Sequence, residues 1–352
     1  MSPVFNVSQA KIMPAISVVI PVYNGQEYIA KAVDSALAQT RPAAEIVILD
    51  DASTDGTSEI LKRYADRREI RFLKLEQRIP AAAAWNAVIR SSSAPFFLVL
   101  AHDDEIDPPF LESAERELLQ NPDADLVVFS YRVIDRLGQL LGETLVTRDF
   151  ESPGPIEKQA FLNRFSRGQF FLPSFVVTRR TSFDDLGGLD VRLKVAYDWD
   201  FYLRAGLGSR IVLSDKILGS YRTHETQSIN AHKTRDNGDN DIIFSKLPEL
   251  DGRLSEWQLA EIVRRMCDFV RRFATSGILN SKTSSTELVE MRRSIEKKLR
   301  DWKNSSSPVA RFVTMEPSMW RQKIVWNCMR RQWTIAPLRP IARLLGYKPI
   351  KD

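Results

Sequence analysis

The feature that most restricts the fold is the alternation of two hydrophobic periods over the first 130 residues. Ile16-Ser17-Val18-Val19-Ile20 is almost continuously apolar, the composition of a strand buried on both faces. Ile29, Ala32, Val33, Ala36 and Leu37 then recur at helical spacing, and Pro42 ends that helix. A second strand is predicted over 46–49. The turn 50–57, rich in capping residues, leads into a helix reaching about Ala65. Further strands are predicted at 70–75, 96–100 and 126–129, with helices near 81–90 and 109–119. Strand, helix, strand in this order predicts an α/β fold, a mostly parallel sheet with right-handed crossovers and flanking helices. Ligands of such sheets lie outside the C-terminal strand ends, and the pairs Asp50-Asp51 and Asp103-Asp104 fall at two of those ends.

From 149 to 232 the pattern is less regular, with Pro153, Pro155, Pro173 and the turn Gly187-Gly188-Leu189-Asp190. After the polar stretch 233–240 the chain reads as helical. Leu259, Val263, Met266, Val270 and Phe273 make one stripe, 290–302 is a charged helix, and Asn304-Ser305-Ser306-Ser307-Pro308 is a linker. The organisation expected is therefore a domain over 14–232 and a helical C-terminal region over 241–352, ending in a basic tail over 311–352. That tail holds nine basic and two acidic residues, +7 in a chain of net charge +5, which leaves −2 for everything before it. The body thus lacks the basic balance of a polyanion binder. Cys267 and Cys328, the two cysteines, are too few for a disulfide framework and fit a reducing compartment. The first residues show no signal-peptide pattern, and no run approaches the roughly 18 to 20 apolar residues of a membrane span. A cytoplasmic protein is expected.

Several chemistries are excluded by missing motifs. No Gly-x-Gly-x-x-Gly follows the first strand and no Gly-Lys-Ser/Thr loop is present, which argues against dinucleotide binding and P-loop phosphoryl transfer. Two lone cysteines and three scattered histidines do not make zinc spacings. The strand ends offer carboxylate instead. Adjacent carboxylates repel by about 1 kcal/mol at 4 Å in water, more where the dielectric is lower, so two pairs at one edge need a cation or hydrogen-bond donors. Hard oxygen ligands suit Mg²⁺ or Mn²⁺ shared with substrate phosphates. The plainer alternatives are helix capping for Asp50-Asp51 and a solvated helix start for Asp103-Asp104.

Five segments in order carry a resemblance. They are Ser17-Val18-Val19-Ile20-Pro21-Val22-Tyr23-Asn24-Gly25, Asp50 through Thr57, Leu100-Ala101-His102-Asp103-Asp104, Tyr197-Asp198-Trp199-Asp200-Phe201-Tyr202-Leu203-Arg204, and Tyr221-Arg222-Thr223-His224. Over roughly 14 to 230 the chain resembles the inverting glycosyltransferases of family 2, which have the GT-A nucleotide-sugar-binding fold. The resemblance implies that Pro21, Tyr23 and Asn24 cradle the nucleotide, that Asp51 hydrogen-bonds the base, and that Asp103 is the principal ligand of Mn²⁺ or Mg²⁺. It implies that Asp198 is the general base. His224 is placed near the metal or diphosphate, with a structural role as the alternative. Arg78 and Arg222 are candidate phosphate partners, or solvated arginines. Glu27 and Asp104 read as helix-start acids, Asp200 as a surface acid, and Trp85 and Asn86 as packing residues. Two positions depart from the family pattern: Ala101 stands where Asp is usual, and Tyr197 where Glu usually precedes the base.

The resemblance implies a UDP- or dTDP-linked sugar donor, a glycan or lipid-linked acceptor, and a role in bacterial surface polysaccharide synthesis. The alternatives are nucleotidyl transfer, for which Val22-Tyr23-Asn24-Gly25 lacks a triphosphate loop, and a degenerate sugar-nucleotide-binding or scaffolding protein, suggested by Ala101. In the tail, Trp320, Trp326 and Trp333 lie among basic residues, the pattern of an interfacial helix on the inner membrane face or of a helix packed on the domain. Nucleic-acid binding is the lesser alternative, since no recognition fold accompanies the charge.

Overall fold

The computed structural model of the chain describes residues 13–166, 168–225, 227 and 239–246. The expectations placed on the basic tail and on the helices beyond 246 lie outside the described residues. So does most of the 241–352 region.

The first strand, β1 (Ile16–Val22), is buried along its whole length. It is followed by α1 (Ile29–Leu37), β2 (Glu45–Asp50), α2 (Thr57–Leu61), β3 (Ile70–Lys74), α3 (Ala81–Ser91), β4 (Phe96–Val99), the two-residue β5 (Glu105–Ile106) and α4 (Phe110–Gln120). The second half runs β6 (Leu126–Ile134), β7 (Leu140–Thr144), β8 (Gly154–Ile156), α5 (Lys158–Phe165), β9 (Val176–Arg179), α6 (Arg180–Asp185), α7 (Tyr197–Gly206), β10 (Ile211–Arg222) and α8 (Asp239–Lys246). The strands form one sheet in the order β3-β2-β1-β4-β9-β6-β10-β5, with β7 added to β6 and β8 to β10.

The parallel character expected from the alternating periods is met in β3-β2-β1-β4 and again in β6-β10. Between these two blocks β9 inserts antiparallel to both β4 and β6. Four residues, Val176-Val177-Thr178-Arg179, are too short a run to show a period, which is why the sequence reading passes over them. β10 was hidden for another reason. Its register against β6 shifts twice, between Ser214 and Ile217 and between Ile217 and Ser220, so its apolar residues do not alternate regularly.

Pro21 sits in a central strand, where proline is normally excluded. Its position explains the tolerance. The carbonyls of Ile16 and Val22 accept from Ala44 and Asp51 on the β2 side, and the Val19 carbonyl accepts from Leu100 on the β4 side. Pro21 shares the parity of Val19, so its missing N–H faces β4, which has already ended at Val99. Among the described residues, no helix is long and apolar enough to cross a membrane.

Candidate active site

The loops leaving β1 and β2 are stitched together. The Asn24 backbone N–H donates to Ser53 Oγ at 3.0 Å, and its side-chain oxygen accepts from the Thr54 N–H at 2.8 Å. The Gly25 N–H donates to Thr57 Oγ1 at 2.8 Å, and the Gly56 N–H donates to Gln26 Oε1 at 2.8 Å. Asn24 has a φ of 51°, in the left-handed region that Asn tolerates. A Cβ on Gly25 would stand 2.6 Å from the His102 ring, so glycine lets this turn close onto the loop after β4. Asn24 therefore spends its side chain on the partner loop, and Pro21 is buried in β1. Tyr23 is half-buried, with the Arg78 guanidinium 3.8 Å over its ring.

Each acidic pair divides between the framework and the cleft. Asp50 accepts from the Ser53 N–H at 2.9 Å and from Ser58 Oγ at 2.5 Å, tying down the second loop. The Asp51 side chain accepts from the Ile79 N–H at 2.9 Å. Burial raises its pKa, the Ile79 bond and the Arg78 charge oppose that, and the Asp50 charge adds to it. Arg78 is thus joined to both Tyr23 and Asp51.

At the end of β4 the division repeats. Asp104 is buried, accepting from Ser174 Oγ at 2.6 Å and from the Arg222 N–H at 3.0 Å. Its pKa is pushed well up by burial and by the Asp103 charge. Asp103 stands 2.9 Å from His224 Nε2, with side-chain exposures of 13% and 8%. Burial works against the ionised Asp103 carboxyl, but the His224 hydrogen bond and the His102 and His224 charges outweigh it and hold the pKa below its ordinary value. His224 arrives on the end of β10, which β5 anchors through Gly219↔Ile106 and Ser220↔Glu105. A Cβ on Gly219 would lie 2.4 Å from the Phe175 ring and 2.8 Å from the Glu105 carbonyl, so only glycine permits this approach.

Arg222 is not available as a phosphate partner. It is 1% exposed, and its guanidinium donates to the Asp103 carbonyl at 3.1 Å, to the Asp135 carbonyl at 3.2 Å and to Glu105. It also lies 5.0 Å over the Tyr28 ring, so it clamps the loop that carries Asp103. Tyr28 in turn donates to Glu27 at 2.7 Å and packs on the His224 ring at 4.9 Å.

The third pair opens α7. Asp200 is 3% exposed and ion-paired with Arg204 at 2.9 Å and Lys246 at 2.5 Å. Asp198 accepts from Gln169 Nε2 at 3.0 Å and from the Trp199 N–H at 2.8 Å. An apolar cavity lined by Trp85, Val99, Pro173, Leu189 and Tyr202 lies against it. Burial raises the Asp198 pKa, against the pull of those two hydrogen bonds. Trp85 packs edge-on to Tyr197 at 5.4 Å, and Asn86 bridges α3 to the Leu189 backbone at 2.8 and 2.9 Å. The Ala101 N–H donates to Ser174 Oγ at 3.1 Å.

The charges of Asp103 and Asp198 reach the same two phenols. Besides burial, the charges of Asp198 and Asp103 raise the Tyr197 phenol, and those of Asp104, Asp103 and Asp198 raise the Tyr221 phenol. Both phenols therefore lie within electrostatic reach of both carboxylates.

Among the described residues no group of three or more His, Cys, Asp and Glu could hold a metal ion. The Asp103–His224 pair supplies two donors, a hard carboxylate oxygen and an imidazole nitrogen. That set fits Mn²⁺ or Mg²⁺ if a bound diphosphate and water complete the shell.

The residues the sequence reading missed are those that support the site. Gln169, Ser174 and Asp239 carry no motif and come from the irregular region or from beyond it. Asp239 accepts from the backbone N–H groups of Lys194, Val195 and Ala196, each at 2.8 Å, at the entry to α7.

Residues 17–187 match the family Glycosyl transferase family 2. An uncharacterized glycosyltransferase of Rickettsia prowazekii is 30% identical over 220 residues, which cover 62% of this chain and 66% of that protein. Glycosyltransferase GlyG of Streptococcus pneumoniae is 29% identical over 216 residues, 59% of this chain and 70% of GlyG. The crystal structure of S. aureus TarS residues 1–349 in complex with UDP-GlcNAc aligns with a TM-score of 0.63 at 20% identity, covering 81% of each chain. The aligned part of this chain spans 66% of the Rickettsia prowazekii relative and 35% of a Rickettsia felis one. The fold is GT-A, a mixed α/β sheet with flanking helices. The chain belongs to glycosyltransferase family 2 through this domain.

Proposed function

We propose that this chain transfers a sugar from a UDP- or dTDP-linked donor to a hydroxyl of a glycan or lipid-linked acceptor, inverting the anomeric carbon, in the synthesis of a bacterial surface polysaccharide. The observation that carries the reading is the division of the three acidic pairs. Asp50, Asp104 and Asp200 are consumed by the framework, while Asp51 follows the end of β2, Asp103 follows the end of β4 beside His224, and Asp198 opens α7 against an apolar cavity. The structure of TarS with UDP-GlcNAc on the same fold supports the donor class.

In this reading Tyr23 and Arg78 flank the nucleotide base, and Asp51 accepts a hydrogen bond from it. Asp103 and His224 would hold Mn²⁺ or Mg²⁺. When bound, the ion neutralises charge on the departing nucleoside diphosphate. Asp198 takes the acceptor's hydroxyl proton as that oxygen bonds to the anomeric carbon and the carbon–phosphate-oxygen bond breaks on the opposite face. Burial raises the Asp198 pKa, which makes its ionised form a stronger base than an exposed carboxylate.

A thermal-shift series with UDP, dTDP and their sugars, with and without Mn²⁺, tests the donor assignment. A ligand at about a hundred times its Kd adds about 2.7 kcal/mol. Asp198→Asn is expected to keep the nucleotide shift and to lose about 10²- to 10⁴-fold in turnover, the usual contribution of a general base. Full turnover in that variant overturns the base assignment, and no shift with any nucleotide overturns the donor class.

A further inference from the structure

We infer that Gln169 is the positioning residue of this site: its side-chain amide holds the Asp198 carboxylate ionised and aimed at the acceptor hydroxyl. The inference rests on the reading of Asp198 as the base and adds a residue outside the five segments that carry the resemblance.

The geometry leaves the amide one orientation. Gln169 Nε2 lies 2.9 Å from the Phe171 carbonyl oxygen and 3.0 Å from Asp198 Oδ2. A carbonyl oxygen can only accept, so the NH₂ end must face it, and the second amide proton then points at Asp198. Both protons are committed. Asp198 Oδ2 is thereby required to be an acceptor, and Oδ1 is occupied by the Trp199 N–H at 2.8 Å. With one donor on each oxygen, the carboxylate cannot rotate without breaking both bonds. Its remaining lone pairs are left for the incoming hydroxyl.

Gln169 is itself held. Phe170 and Phe171 are 6% and 1% exposed. Phe171 packs on Tyr202 of α7 at 4.7 Å, and Phe165 stacks on Trp199 at 5.7 Å. Gly168, with a φ of 126°, turns the chain back so that its N–H donates to the Phe165 carbonyl at 2.8 Å, while Arg164 donates to the Gly168 carbonyl at 3.0 Å. The aromatic cluster thus docks the Gln169 segment directly on the helix that carries the base. The titratable groups that face Asp198 are the phenols of Tyr197, Tyr202 and Tyr221, whose pKa values burial raises and the Asp198 charge raises further, so they stay neutral where a carboxyl titrates. Asp103, Asp104 and Asp239 are the further carboxyls whose charges reach the Tyr197 and Tyr221 phenols. A neutral amide donor is therefore the group that favours the ionised form of Asp198 from the side-chain direction.

The test is the titration midpoint of Asp198, read by carbon NMR of the full chain with labelled aspartate carboxyls and with the resonance assigned by its loss in Asp198→Asn. Gln169→Leu removes the donor and is expected to raise the midpoint by about one pH unit, a tenfold change in the proton equilibrium. Gln169→Glu, which sets a second carboxyl against the first, is expected to raise it at least as far. The readout needs neither donor nor acceptor, and Gln169→Glu serves if the leucine variant does not fold. A midpoint in either folded variant that coincides with the parent's overturns the inference. It then fails alone if Asp198→Asn still abolishes turnover, whereas turnover retained in Asp198→Asn overturns the base assignment itself.

Discussion

The two blocks of the sheet build their parts of the site by different means. In β3-β2-β1-β4 the cleft residues leave the ends of adjacent parallel strands, and their loops are held by short bonds between neighbouring loops, such as Asn24 to Thr54 and Gly25 to Thr57. In the region from β6 to α8 Asp198, the proposed base, is placed by side chains far apart in sequence: Gln169 on its carboxylate, Phe165 and Phe171 on its helix, and Asp239 on the backbone at its entry. Topology supplies the first arrangement and packing supplies the second. The nucleotide-facing half should therefore be sensitive mainly at the residues that touch ligand. The base-facing half should be sensitive also at residues that touch none.

The sharpest separation comes from Asp103→Ala. Removing the carboxylate from the Asp103–His224 pair is expected to weaken Mn²⁺-dependent nucleotide binding by about a hundredfold, within the range for charged groups and metal ligation. The measurement is the thermal shift with UDP, with and without Mn²⁺. In the variant the two curves should coincide, while the metal-free shift stays at its parent value. A Mn²⁺ increment of unchanged size would remove Asp103 from the metal site.

The same contrast governs how much of the molecule was legible in the sequence. β1 to β4 were readable because strands buried on both faces are continuous apolar runs and the helices between them keep a clean period. The carboxylates at their ends were readable because strand ends are where such sheets bind ligands. Which member of each pair faces the cleft was not fully readable. Asp50 is withdrawn by Ser58, Asp104 by Ser174 and the Arg222 backbone, Asp200 by Arg204 and Lys246, and these partners lie up to 118 residues away. Arg222 shows the limit most plainly. A lone arginine beside an active-site motif looks like a phosphate ligand until the fold places its guanidinium on the Asp103 and Asp135 carbonyls.

A smaller effect probes the stability of the first block. Glu45 accepts from Ser17 Oγ at 2.9 Å, from the Ser93 N–H and hydroxyl, and from Arg71 at 3.3 Å, joining β1, β2, β3 and the entry to β4. Burial alone would raise its pKa, but these bonds outweigh it and lower the value to about 2. A carboxyl depressed in the folded state contributes stability above its ordinary value of 4.5, and that stability is lost as pH falls from 4.5 through about 2. The contribution is on the order of 2 kcal/mol at neutral pH. Glu45→Gln should lower the unfolding free energy in urea by about that amount at neutral pH, and by much less near pH 2. A difference that does not shrink with acid would mean that packing, not charge, explains the loss.

The smallest effect tests the second block where no ligand is touched. Asp239 lies on α8 and receives the N–H groups of Lys194, Val195 and Ala196, the three residues before α7. Those groups would otherwise be unpaired at a helix start, and an anion there also complements the helix dipole. Lys246, one helix length further on, ties the other end of α8 to Asp190 at 2.8 Å and Asp200 at 2.5 Å. Asp239→Ala should cost about 1 kcal/mol of stability, as loss of a capping carboxylate does. It should also lower turnover, because the first turn of α7 carries Asp198 and small misplacements of a base are expensive. Nucleotide binding should be unchanged, since Tyr23 and Asp51 are set by the loops after β1 and β2, and Asp103 by Arg222 and His224 at the end of β10. Steady-state kinetics beside the UDP thermal shift distinguish the cases. A variant that lost nucleotide binding and turnover together would show that the two blocks are not independent, and the division drawn between topology and packing would fail with it.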